Sequence, residues 1–189
     1  IINYKKSILT KNDARNKLKF KNDLVIFMFF GLIRKYKGID VLLKSINKIN
    51  INLKDKYKCL IVGESYENIE KYKTMLKDEI KINVEWVNEY IPDEKVDLYF
   101  SASDFIVLPY KTASQSAVVP LSYSYNKPVI VSDLIGLSEF VENNKTGYIF
   151  KESNINNLSQ ILTDIILNKD YDYMSNEINK IKDKFSIER

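Results

Sequence analysis

An α/β fold is predicted here: a single doubly wound domain in which a parallel sheet of about six strands carries helices on both faces. Two observations predict it. Short apolar runs alternate with amphipathic stretches along almost the whole chain. The runs are apolar at successive positions, not at every second one, as in strands buried on both faces, and such strands pair in parallel through crossover helices. With 189 residues, the chain fits one domain with a core large enough to fold alone.

Residues 1–20 are polar and lysine-rich, with a short helix over Asp13–Leu18, and read as a linker with a helix remnant. The domain proper is expected over 21–189. Its strands are placed at 24–30, 58–62, 82–87, 104–108, 128–132 and 147–150. Helices are expected at 38–50, 66–80, 92–102, 116–126, 136–142, 154–168 and 170–184. The first of these shows its period clearly, with Ile39, Leu42, Leu43, Ile46 and Ile49 on one stripe and Lys44, Asn47 and Lys48 opposite. Pro109 stops the fourth strand, and Pro128 ends the helix before the fifth.

Composition removes several functions. The chain has no histidine, so it has no His base, no serine or cysteine triad and no His metal site. No Gly-x-Gly-x-x-Gly follows the first strand, and no Walker loop is present. Glu139 and Glu142 are an i,i+3 pair on one helix, not the flanking carboxylates of a glycosidase. The net charge of +4 is spread through the chain with acids between the lysines, which argues against a nucleic-acid partner despite Lys-Tyr pairs such as Lys35-Tyr36 and Lys71-Tyr72. That basic excess is compatible with peripheral contact with an anionic membrane surface. The single cysteine, Cys59, lies in an apolar run and reads as a small buried hydrophobe in a reduced compartment. The longest apolar run, 24–31, is far short of the roughly 20 residues that cross a bilayer. Ile1 to Lys6 leads into polar sequence, without a signal-peptide core, and the chain begins without Met, as an excised piece would.

The candidate site lies in loops that follow strands, because open parallel sheets bind ligands at the carboxyl ends of their strands. After the first strand come Arg34 and Lys37, bracketed by Gly31 and Gly38, two cations able to neutralise a diphosphate. After the fourth comes Tyr110-Lys111-Thr112-Ala113-Ser114-Gln115-Ser116, whose Ser114, Gln115 and Ser116, with the Ala117 amide, can donate to phosphate or simply cap a helix. Glu64 ends the second strand and is placed either to accept from a base or ribose or to cap the following helix. Tyr90 and Ile91 follow the third, where they either hold a base or pin the loop before Pro92.

In order along the chain, Gly31-Leu32-Ile33-Arg34-Lys35-Tyr36-Lys37-Gly38, Leu60-Ile61-Val62-Gly63-Glu64, Asn88-Glu89-Tyr90-Ile91-Pro92, Lys127-Pro128-Val129-Ile130 and Lys145-Thr146-Gly147-Tyr148 resemble the C-terminal, nucleotide-sugar-binding domain of GT-B glycosyltransferases, family 4-like. The resemblance implies a Rossmann-like domain and a retaining transfer of a sugar from a nucleotide diphosphate, UDP- or GDP-linked, to a glycan or lipid-linked acceptor. It implies phosphate contacts from Arg34, Lys37 and Ser114–Ala117, base or ribose contacts from Glu64, Tyr90 and Ile91, and no metal or other cofactor. A partner domain holding the acceptor would precede residue 1, and Lys184 to Arg189 resembles the start of the family's final helix. A fragment of that kind is expected to be inactive alone, and its parent to be a bacterial enzyme of polysaccharide biosynthesis in the cytoplasm, at the inner face of the membrane. One departure stands out. The family's two glutamates, eight positions apart before the Pro-Val strand, fall on Ala113 and Leu121. A second reading is therefore a non-catalytic binding or scaffold domain that kept the fold and lost the site.

Overall fold

Each of the six apolar runs becomes a strand, and all pair in parallel. The computed structural model describes residues 9–182, so the expectations placed on residues 1–8 and 183–189 lie outside the described residues. The strands are β1 (Val25–Phe30), β2 (Tyr57–Val62), β3 (Val84–Val87), β4 (Phe105–Leu108), β5 (Val129–Ser132) and β6 (Gly147–Phe150), in the spatial order β3-β2-β1-β4-β5-β6. Their order reverses between β1 and β4. That is the topological switch point of a doubly wound sheet, where a crevice opens outside the carboxyl ends of the strands. Phe105 to Leu108 and Val129 to Ser132 are wholly buried, as their continuous apolar character requires.

The helices are α1 (Lys11–Lys17), α2 (Ile39–Ile46), α3 (Glu70–Lys73), α4 (Asp78–Lys81), α5 (Asp93–Ala102), α6 (Val118–Ser124), α7 (Ile135–Ser138), α8 (Ile155–Asn168) and α9 (Asp172–Ile181). Helices α2 and α8 pack together, as do α1 and α5. Three expectations need correction. The helix placed at 66–80 is two short ones. Asn47, which caps α2, donates its Nδ2 to the Met75 carbonyl at 2.7 Å and accepts the Lys77 amide at 3.0 Å, taking backbone groups that a continuous helix would pair itself. The helix placed at 116–126 starts at Val118, because the Ser116 hydroxyl accepts the Val118 amide at 3.2 Å. It ends before Pro128, where Asn126 turns left-handed (φ 55°) and the Lys127 amide donates back to Ser122. The helix placed at 136–142 is the single turn of α7, after which exposed Glu139 begins a series of turns.

Helix α1 is tied into the domain chiefly by one buried side chain, with Lys11 reaching the same partner from the surface. Arg15 is completely buried. Its guanidinium donates to the carbonyls of Ala102 (2.9 Å), Asn22 (2.7 Å) and Leu24 (2.9 Å) and to Asp104 Oδ2 (2.7 Å). The same Asp104 oxygen accepts the Ile26 amide at 2.7 Å, so the carboxylate joins the feet of β1 and β4. Close by, Lys127 Nζ donates to the carbonyls of Ser101 (3.2 Å) and Ser103 (2.7 Å). Burial pushes its pKa down to about 8; Asp104 opposes the shift, while Lys11 and Arg15 add to it. The unfolded chain keeps this proton to about 10.5, so between about 8 and 10.5 the unfolded state binds more protons and stability rises with pH. In urea titrations at pH 7.5 and 9.5, Lys127→Met is expected to lose that part of the rise.

Candidate functional site

Two loops meet at the switch point and build one wall each of a cleft. The loop after β1 runs through Gly31 to a turn of 3-10 helix at Lys35–Lys37, and Gly38 starts α2 with φ 67°. The loop after β4 runs from Pro109 to Ala117. They are pinned together where the Lys111 amide donates to the Tyr36 carbonyl at 2.7 Å. Gly38 lies so close to Pro109 that a Cβ there would stand 1.8 Å from the Pro109 carbonyl oxygen. A third loop supports the second: the Ser132 hydroxyl donates to the Tyr110 carbonyl at 2.7 Å, and α7 packs its Gly136 against the backbone of Ser114.

The resulting cleft, about 700 Å³, is lined by Tyr36, Lys37, Tyr110 and the run Thr112 to Val118. Among the described residues Lys37 is the only charged side chain lining it. Lys37 is half-buried, its Nζ lies 5.4 Å from the centre of the Tyr110 ring, and no carboxylate of the described residues pairs with it. Burial lowers its pKa, and Arg34 lowers it further. The ammonium folds back over Gly31, passing 3.1 Å from where a Cβ would be. Burial also pushes the Tyr110 hydroxyl up to about 12, against a hydrogen bond with Ser116, so Tyr110 stays neutral and serves as an aromatic wall. A desolvated, unpaired ammonium facing a loop of hydroxyls and amides suits an anion.

The structure therefore brings Lys37 together with Ser114, Gln115, Ser116 and Ala117, and leaves the other expected residues elsewhere on the rim. Arg34 lines a neighbouring cleft and lies over the Tyr66 ring, its guanidinium carbon 5.7 Å from the ring centre. Glu64 accepts the Ile33 amide through its carbonyl (2.9 Å) and the Tyr66 hydroxyl through its carboxylate (3.3 Å). It caps no helix, since α3 begins six residues on, at Glu70, whose amide goes to Asn68. The β2 and β3 loops are joined where Asn88 accepts the Ser65 amide at 2.8 Å. Beyond it Tyr90 is 72% exposed and pins nothing, whereas Ile91 is buried in the core and offers a ligand only its backbone. Ala113 lines the main cleft and Leu121 packs on the core, so no carboxylate stands at either position.

Tyr36, Tyr110 and Glu67 were not anticipated as functional residues. Glu67 Oε1 accepts the Lys35 amide at 2.7 Å, while Oε2 takes the Tyr72 hydroxyl (2.8 Å) and pairs with Lys71, so it caps the turn that carries Lys37 from another loop. Its pKa is lowered, chiefly by Lys71. Among the described residues no cluster of three or more Cys, Asp or Glu is arranged to hold a metal ion, and no helix is long and apolar enough to cross a membrane. Cys59 is buried in β2, and burial pushes its thiol pKa up.

The family model described as glycosyl transferases group 1 matches residues 10–182. An uncharacterized glycosyltransferase of Methanocaldococcus jannaschii is 25% identical over 186 residues, covering 97% of this chain and 51% of that protein. The lipopolysaccharide 1,2-N-acetylglucosaminetransferase of Salmonella typhimurium is 26% identical over 167 residues, covering 82% of this chain and 43% of its own length. The chain thus spans about half the length of these relatives. Among solved structures, the C-terminal domain of a glycosyl transferase group 1 family protein, LpcC, from Francisella tularensis superposes with a TM-score of 0.77 at 15% identity, covering 95% of this chain and 94% of that one. Anabaena HepE in complex with UDP-glucose gives 0.75 at 16% identity, covering 92% of this chain and 48% of that one.

Proposed function

The chain belongs to the glycosyl transferases group 1 family, and from that premise we propose that it is the donor-binding half of a retaining glycosyltransferase. The observation that carries the reading is Lys37, among the described residues the one charged side chain lining the main cleft, half-buried beside the Ser114–Ala117 loop. In this reading the donor's diphosphate lies between Lys37 and that loop. The ammonium neutralises, and the Ser114 and Gln115 donors hydrogen-bond, the charge that develops on the diphosphate oxygen as its bond to the sugar's anomeric carbon breaks; the acceptor hydroxyl adds to the same face of that carbon and gives its proton to the departing oxygen. This arrangement asks for no metal. The base would extend toward Tyr90 and the backbone of Ile91, with Glu64 near the ribose.

HepE's complex with UDP-glucose supports a UDP-sugar as donor, with a GDP-sugar the alternative, and the Salmonella relative supports a glycan acceptor, on a lipid or not. The acceptor half would be a further domain of the same protein, and turnover would require it. Its work would be done in the cytoplasm, at the inner face of the membrane. A second reading, a scaffold domain with a lost site, is favoured by Ala113 and Leu121 alone.

Ligand-observed NMR against UDP, GDP and ADP tests the proposal. One nucleotide is expected to bind, and Lys37→Ala to weaken it about ten- to hundredfold, the worth of one charge-assisted hydrogen bond. Absence of binding by all three at millimolar concentration supports the scaffold reading.

A further inference from the structure

Lys37 stands on a turn that its own loop does little to hold. Lys35–Lys37 is one turn of 3-10 helix, with backbone bonds from the Lys37 amide to Arg34 (2.9 Å) and from the Gly38 amide to Lys35 (3.3 Å). So short a piece has poor hydrogen-bond geometry and needs support from outside. A helical turn commonly takes that support from the side-chain oxygen of its N-cap residue, but the N-cap here is Arg34, which has no acceptor to give. The acceptor comes from the loop after β2 instead, where Glu67 Oε1 takes the Lys35 amide at 2.7 Å. We propose that Glu67 is a positioning residue of the donor site: by holding the Lys35 amide it sets where the Lys37 ammonium stands, and so how tightly a diphosphate is bound. The inference rests on the donor reading and adds to it a residue that acts on the donor only through Lys37.

Glu67 is itself held in place. Its backbone closes a small turn with Ser65, whose hydroxyl accepts the Glu67 amide (3.1 Å) and donates to the Glu67 carbonyl (2.9 Å). The Ser65 amide is fixed in turn by Asn88 Oδ1, in the loop after β3, at 2.8 Å. The second carboxylate oxygen accepts the hydroxyl of buried Tyr72 at 2.8 Å and pairs with Lys71. One oxygen is thus anchored and the other is presented to the turn.

The charge is accounted for as well. With Arg34, Lys35 and Lys111, Glu67 lines the cleft of about 550 Å³ that adjoins the main one, where a free carboxylate would repel a diphosphate. Lys71 offsets that charge and is the chief cause of the lowered Glu67 pKa, so at neutral pH the Lys35 amide faces a carboxylate, a stronger acceptor than a neutral cap. The other side of the turn is pinned by the loop after β4, through the Lys111 amide and the Tyr36 carbonyl (2.7 Å). Removing Glu67 leaves the turn held from one side.

The test compares Glu67→Ala with Glu67→Gln in the ¹⁵N-labelled chain, titrated with UDP, GDP and inorganic pyrophosphate, with urea midpoints to confirm that both variants fold. Alanine is expected to weaken pyrophosphate and the nucleotide that binds alike, by roughly three- to tenfold, the worth of one hydrogen bond, and to displace the amides of Lys35, Tyr36 and Lys37. Glutamine keeps a carbonyl oxygen for the Lys35 amide and should recover most of the affinity. Added to Lys37→Ala, Glu67→Ala should cost nothing further, because the group it positions is gone. Four results would overturn the proposal: unchanged affinity in Glu67→Ala, glutamine as weak as alanine, a further loss on top of Lys37→Ala, or a loss seen with the nucleotide but not with pyrophosphate, which would mean that Glu67 touches the nucleoside itself. The two readings fail separately. Nucleotide binding that ignores Glu67→Ala sinks the positioning role alone. No binding of any of the three by the unsubstituted chain, with the Lys35–Lys37 amides still displaced in Glu67→Ala, sinks the donor reading and leaves Glu67 as the pin of the turn.

Discussion

Arg15→Ala is expected to lower the unfolding free energy by about 3–5 kcal/mol, the cost of removing one partner of a buried ion pair. The substitution leaves the buried Asp104 carboxylate without its guanidinium and strips donors from the carbonyls of Ala102, Asn22 and Leu24. The cost falls on the buried Ala102 carbonyl and Asp104 carboxylate, whereas Asn22 is exposed and its carbonyl can turn to water. Lys11 also reaches Asp104, but its side chain is 42% exposed, so Lys11→Ala should cost about 1 kcal/mol or less. Urea midpoints of the two variants give the comparison. Equal shifts would mean that the pair's charge, and not its burial and carbonyl contacts, is what stabilises the foot of the sheet.

Gly38→Ala should be nearly as damaging, and should damage the cleft directly. At φ 67° a side chain costs about 1–2 kcal/mol of backbone strain. A Cβ 1.8 Å from the Pro109 oxygen must also push the two loops apart, adding about 1–3 kcal/mol of overpacking. The loop that moves carries Lys37, so nucleotide affinity should fall more than tenfold under conditions where the variant is still folded. Gly38→Asn separates the causes, because asparagine tolerates a left-handed backbone but still carries the colliding Cβ. If Asn restores binding, strain was the fault; if not, the close approach to Pro109 was.

These two sites differ in how far the sequence announced them. Gly38 was legible, because a glycine after Lys37 at a strand-to-helix turn is the residue such a turn needs. Arg15 was not, since one arginine in a lysine-rich segment reads as solvated, and its partner Asp104 is 89 residues away. The same limit applied to Asn47, which breaks the expected 66–80 helix from 28 and 30 residues off, and to Glu67, which caps the Lys35 turn across 32. In each case the local pattern was sound: Ile69, Tyr72, Leu76 and Ile80 do share a helical stripe, and three of those four are buried. A competing side chain overrode it.

The candidate site divides the same way. Lys37 and the Ser114–Ala117 loop were expected from residue type and from their place after strands, and the strand order then sets the two loops side by side. Arg34 and Lys37 were expected to act together because both lie in the loop after the first strand, bracketed by Gly31 and Gly38. The intervening 3-10 turn instead sends one to each cleft.

What the sequence alone determined is the fold class, the order of strands and helices and the rim on which ligands would sit, because burial of a strand or a helix face must be repeated residue by residue and so leaves a period to read. What only the tertiary structure decided is which charges are buried, which are neutralised and which share a cavity. Those outcomes depend on single contacts between segments distant in the chain, and a single contact leaves no period behind.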